Sequence, residues 1–243
     1  MLSKLRERWL VTRHDDAGVT LAEMSVTVVV LSLLTGSLVA MVTAGVRVSS
    51  GVKERLDQSN TATISMERMS RNLRTAVLQS QLTTACVVTA CTDSAFLVGS
   101  PTSVQFYADV DNPGNSVGPS RVTYTVTNGV LSETIQKPDS PTPDANGYHY
   151  CTPSTTCIVP STVLATGVQS ASPVFIYYTA AAPTTAMTMG TGGVLSAAQL
   201  KTVDSIDLTL QVVSAGTSPV LGASLYERIA LPNADSVIRT DGT

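Results

Sequence analysis

Residues 24–46 form a run of 23 positions without a single charge. At about 1.5 Å per residue, a helix of that length spans roughly 34 Å, enough for a hydrocarbon core of about 30 Å. A run this long and apolar reads as a membrane helix. Before it lie Lys4, Arg6, Arg8 and Arg13 against Glu7, Asp15 and Asp16. The orientation rule weighs only Lys and Arg, so the N-terminus is expected to stay cytoplasmic, with everything after Arg47 outside. A secretory signal is cut after its apolar segment. Here the glycine that would mark a cut, Gly18, precedes the segment, which would then stay on the mature chain.

Glu23 sits at the edge of this run. A carboxylate costs up to about 2.5–3.5 kcal/mol at the bilayer centre and less near its surface. Two readings stand: a solvated residue that ends the apolar run, or a functional group with a partner. Gly36, Ala40 and Ala44 fall four apart on one helix face. Small residues at that spacing let helices approach closely in lipid, although Gly and Ala are also common in membrane helices generally.

The segment Gly18-Val19-Thr20-Leu21-Ala22-Glu23 followed by the apolar run resembles the processing site of type IV prepilins and pseudopilins. The resemblance implies cleavage between Gly18 and Val19 by a prepilin peptidase, a methylated Val19 amine, and Glu23 as fifth residue of the mature chain. Val19 departs from the Phe or Met most often found at the first mature position. It further implies an inner-membrane assembly platform and other pilins or pseudopilins as partners, with the lipid bilayer holding the subunit before assembly. In a packed filament Glu23 of one subunit would pair with the positive Val19 amine of another. That attraction strengthens away from water, where an unpaired Glu23 is penalised.

From Arg47 to about Gln81 the pattern becomes amphipathic. Val48, Val52, Leu56, Met66, Met69, Leu73 and Val77 recur at helical spacing among charges, with a gap near Asn60. This predicts a helix whose apolar stripe packs on the head. Strands are expected at 104–109, 121–127, 131–135, 174–179, 205–213 and 224–231, and Asn128-Gly129 predicts a two-residue hairpin turn. Ser196 and Gln199 have capping-box spacing, which predicts a short helical turn. Residues 111–120, 137–162 and 180–194 read as loops. The expected organisation is a leader over 1–18, a membrane or filament-core helix over 19–46, an amphipathic helix over 47–81 and a β-rich head over 82–243. The fold class is α+β, a long N-terminal helix with a mainly antiparallel sheet. It is similar to minor pilins of the W type and J-type pseudopilins, which residues 226–233 and 121–129 also resemble.

Four cysteines form two close pairs, Cys86/Cys91 and Cys151/Cys157. Three connectivities exist for four cysteines. An extracytoplasmic head favours the two local disulfides over a zinc site, whose ligand pairs are usually closer in sequence. The helix from Arg47 to Arg74 carries six basic and three acidic residues, and the chain after Leu82 carries five basic and eleven acidic. An acidic head is a poor match for phosphate backbones, so direct nucleic-acid binding is disfavoured.

No catalytic constellation emerges. The Gly114-x-Ser116-x-Gly118 pattern lacks the strand before and helix after that a hydrolase elbow needs. Asp109-x-Asp111-Asn112 opens a calcium-like loop that has proline at its fifth position and Ser120 where a bidentate glutamate belongs. No cofactor is expected. The resulting expectation is a structural subunit of a pilus-like filament serving pilus biogenesis, type II secretion or DNA uptake. The alternative is a filament-tip adhesin or competence pseudopilin contacting a ligand or DNA through its head.

Overall fold

The computed structural model describes residues 18–83, 94–169, 173–213 and 222–232. Cys86 and Cys91 and the leader before Gly18 lie outside the described residues. Two compact units are distinguished, Met1–Gly51 and Val52–Thr243.

In the first unit the described chain is helical from Leu21 onward. Its 18-residue apolar window reaches a mean hydropathy of 2.2, so helix α1 (Leu21–Arg74) is long and apolar enough to cross a membrane. Six hydroxyl side chains punctuate the apolar run. Each donates back to a carbonyl three or four residues earlier, as Ser32 does to Val29 and Thr43 to Val39. Bonding within the helix leaves no hydroxyl donor bare, the condition that lipid imposes on polar groups.

The second unit is the head. A five-stranded antiparallel sheet runs in the order β1 (Phe96–Gly99), β2 (Ser103–Ala108), β3 (Ser120–Thr127), β4 (Val130–Gln136), β5 (Ser161–Thr166). A three-stranded antiparallel sheet follows, β6 (Phe175–Thr179), β7 (Val203–Val212), β8 (Ala223–Ala230). The observed class is therefore the expected α+β. The β3–β4 hairpin turns at Asn128 and Gly129, both at positive φ (51° and 74°), as a type I′ connection requires. Helix α3 (Ala197–Leu200) begins with the expected capping box, Ser196 and Gln199 bonding each other reciprocally.

Strands β1 and β5 were not expected, and part of β5 was expected as loop. Helix α1 also stops at Arg74, short of the Gln81 limit read from periodicity. The reason is competition for backbone bonds. Thr75 O accepts from Asp109 N and Val77 N donates to Tyr107 O, so the chain leaves the helix to pair beside β2. A separate short helix α2 (Gln79–Leu82) follows.

Within this unit Ala62, Met66, Met69 and Leu73 of α1 join Phe106, Tyr124 and Leu131 of the first sheet and Phe175, Tyr177, Ile206 and Ile229 of the second in one buried cluster. The expected packing of the whole amphipathic stripe holds only for its C-terminal part. Met66, Met69, Leu73 and Val77 are buried, whereas Val48, Val52 and Leu56 are exposed. Apolar periodicity specifies a sticky face but not what covers it.

Candidate functional site

The residues singled out at the N-terminus occupy one end of α1. Gly18, Val19 and Thr20 are exposed and non-helical. The Thr20 carbonyl accepts the first helical bond, from Met24 N, which makes Thr20 the N-cap residue. Its hydroxyl accepts from Glu23 N at 3.2 Å, and the Glu23 Oε2 oxygen accepts from Thr20 N and from the Thr20 hydroxyl, each at 3.0 Å. This is a reciprocal capping box that satisfies two N–H groups otherwise left open at a helix start. A carboxylate in the first turn also meets the positive end of the helix dipole.

Glu23 therefore has a partner within its own chain, which neither sequence reading of this residue included. The signal was present: Thr20-x-x-Glu23 is the spacing of a capping box. The peptide bond between Gly18 and Val19 lies outside the helix. Cutting it would leave the Thr20 amide and its bond to Glu23 in place.

Gly36, Ala40 and Ala44 all lie exposed on α1, and a Cβ built on Gly36 meets nothing within 4 Å. Large apolar side chains around them, Leu31, Leu34, Leu38 and Met41 among them, are equally bare. Such a continuous apolar exposure demands a covering of lipid or protein.

Polar ties hold the C-terminal part of α1 inside the head. Glu133 on β4 is buried, and its carboxylate pairs with Arg68 and accepts from Asn72 Nδ2 (3.0 Å) and the Tyr124 hydroxyl (2.7 Å). Glu227 on β8 accepts from the Ser70 hydroxyl (2.7 Å) and pairs with Arg74 at 3.0 Å. On the opposite face of the second sheet, Asp207 is clamped by Arg228 through two bonds, and the Arg228 guanidinium stands 4.2 Å over the Tyr178 ring. Burial pushes the Asp207 carboxyl up, but the hydrogen bonds from Arg228, Tyr178 and Tyr226 outweigh it and hold the group below its usual range.

Cys151 and Cys157 form a disulfide. The loop it closes is fixed to the sheet by Gln136, whose amide donates to the Cys151 carbonyl at 2.7 Å. The Ser116 hydroxyl donates to the Pro113 carbonyl within a single 3-10 turn, and His149 pairs with Asp144 at 2.8 Å. In the calcium-like loop the Asn112 amide nitrogen donates to Asp109 and to Asn115, so these side chains satisfy each other. Among the described residues no three of His, Cys, Asp and Glu gather into a group able to hold a metal ion.

No family model and no curated protein matches the chain. Among solved structures it is similar to a chain in the crystal structure of the GspK-GspI-GspJ complex of the enterotoxigenic Escherichia coli type 2 secretion system. The two share 14% identity at a TM-score of 0.39, over 72% of this chain and 97% of that one.

Proposed function

We propose that the protein is a minor pilin or pseudopilin, held in the membrane by residues 19–46 and then assembled into a pilus-like filament. A prepilin peptidase removes residues 1–18 and the new Val19 amine is methylated. The reading places the N-terminus in the cytoplasm and the head outside. The subunit meets an inner-membrane assembly platform and other pilin-type subunits of a pilus or type II secretion machine.

The observation that carries this reading is the bare apolar α1, which starts at a Thr20–Glu23 cap two residues past Gly18 and ends inside a β-rich head. A helix that must be covered by lipid in one state suits a subunit that exchanges lipid for neighbouring helices in another. Glu23 Oε2 serves the cap, and the same carboxylate can take the Val19 amine of a neighbour through its other oxygen.

The test is Glu23→Ala in cells that carry the assembly machine. Membrane insertion is expected to stay intact while recovery in sheared filaments drops at least tenfold. Incorporation at the wild-type level would remove Glu23 from the assembly role.

A further inference from the structure

Strand β8 is an edge of the second sheet, paired with β7 on one side and, among the described residues, with no strand on the other. The Leu231 amide donates to the Asp204 carbonyl, which fixes the phase of the β7–β8 ladder. Bonded residues alternate along an antiparallel pair, so Ala223, Leu225, Glu227 and Ile229 turn their backbone groups to β7. Ser224, Tyr226, Arg228 and Ala230 turn theirs outward. Among the described residues those outward amides and carbonyls take no hydrogen bond. Natural edges are blunted by shortness, bulges, proline or free charge. β8 is eight residues long without bulge or proline, and its two charges, Glu227 and Arg228, are tied within the head by Arg74 and Asp207.

Beside this edge an open groove of about 640 Å³ runs between α1 and β8. Met66 and Leu225 line it with apolar surface, and its charges are paired as Arg71–Glu67 and Arg74–Glu227. Charge therefore selects no occupant here, and backbone chemistry does. A row of unpaired amides and carbonyls at strand spacing is satisfied by another extended backbone.

The chain itself supplies one. Residues 233–243 lie outside the described residues and follow β8 directly. Leu231-Pro232-Asn233-Ala234 is a turn sequence, with proline presetting φ at the second position and asparagine suited to the third. Ser236-Val237-Ile238-Arg239-Thr240 then holds three strand-forming residues, Val237, Ile238 and Thr240, and Asp241-Gly242 breaks the run. A loop of this length is a common hairpin connection. It also makes the pairing intramolecular, at an effective concentration on the order of millimolar, which favours this segment over a separate partner of equal affinity.

We propose that residues 235–241 add to the free edge of β8 as a further antiparallel strand, closing a hairpin at Leu231–Ala234 with Val237 opposite Arg228 and Arg239 opposite Tyr226. In this register Ile238 and Thr240 turn into the groove beside Met66 and Leu225. The added strand shields the second sheet from pairing with strands of other chains. It belongs to the single subunit and does not depend on the filament reading.

Hydrogen exchange of the full chain in detergent micelles, resolved to single amides, reads the pairing directly. The Tyr226 and Arg228 amides are expected to be protected. Val237→Pro removes one donor from the new ladder and should speed both by about tenfold or more, while the Leu208 and Leu210 amides, which face β8 from β7, keep their protection. In a second variant, Leu225→Cys with Thr240→Cys should form a disulfide within one chain, because this register places the two as an opposed, non-bonded pair. Should Leu208 also lose protection in Val237→Pro, the engineered disulfide alone decides. Exchange at the rate of an unstructured amide at Tyr226 and Arg228 in the unaltered chain overturns the proposal. So does protection that survives Val237→Pro or rises with protein concentration, which would put a different occupant or a second copy on the edge. An engineered pair that stays reduced, or that bridges two chains, overturns it as well.

Discussion

The proposed reading gives Glu23 two roles at successive stages. In the single chain it closes a capping box with Thr20, using bonds that do not depend on the residues before Val19. Removing the Thr20 hydroxyl while keeping its shape tests the cap alone. Thr20→Val is expected to cost about 1 kcal/mol of helix-start stability. Amide exchange at Ala22 and Glu23 in micelles should then speed up about fivefold, with Ser at the same position restoring protection. Unchanged exchange would mean the cap is not formed in lipid.

Asp207 offers a second test at this scale, through acidity. Its carboxyl lies below the usual range in the folded chain, so the Arg228 clamp stabilises the head above the unfolded value of about 3.9. That stability is lost as pH falls through the lower folded value. Asp207→Asn is expected to lower head stability at neutral pH by about 1.5 kcal/mol, the low end for charged hydrogen bonds because Arg228 is partly solvated. It should also flatten the acid limb below about pH 4, read by thermal unfolding in detergent. A variant that keeps the wild-type acid limb would show that other carboxylates dominate it.

Among the elements, α1 carries most of what the sequence made legible. Its apolar run and the stripe at Met66, Met69 and Leu73 follow from periodicity, and Asn128-Gly129 specified a hairpin with both residues at positive φ. What was not legible depends on partners distant in the chain. β1 is four residues without polar alternation, and β5 is an edge strand whose Ser161 and Thr162 face solvent and therefore read as loop. Val77 continues the helical spacing from Leu73, yet its amide finds a better partner in Tyr107 of β2. The Thr20–Glu23 cap is written in the Thr-x-x-Glu spacing, but a carboxylate beside an apolar run points first to a partner outside its own helix turn.

Burial separates the ion pairs of α1 into consequential and inconsequential ones. Glu133→Ala would leave the buried Asn72 amide and Tyr124 hydroxyl without their carboxylate and unpair the half-exposed Arg68, and is expected to cost about 2 kcal/mol. Glu67→Ala breaks only the exposed pair with Arg71 and is expected to cost less than about 0.5 kcal/mol. Chemical denaturation of the two variants, compared in the same detergent, measures the difference. Equal losses would contradict the assignment of Glu133 as the tie between α1 and the first sheet.

For the whole molecule, the proposed reading separates the chain's tasks along its length. Residues 19–46 would meet lipid or neighbouring helices, while the head carries the acidic excess and a disulfide at Cys151–Cys157. The apolar residues of α1 that the head leaves uncovered are too many for a subunit that acts alone in water. The proposed assembly would resolve that exposure, and it requires that the apolar helix survive processing.

Sequencing the N-terminus of the protein from cells with an active prepilin peptidase, by Edman degradation and intact mass, addresses this requirement most directly. The account predicts a chain that starts at a methylated Val19 and retains the whole of α1. A chain starting beyond Val46, or one still beginning at Met1, would contradict it.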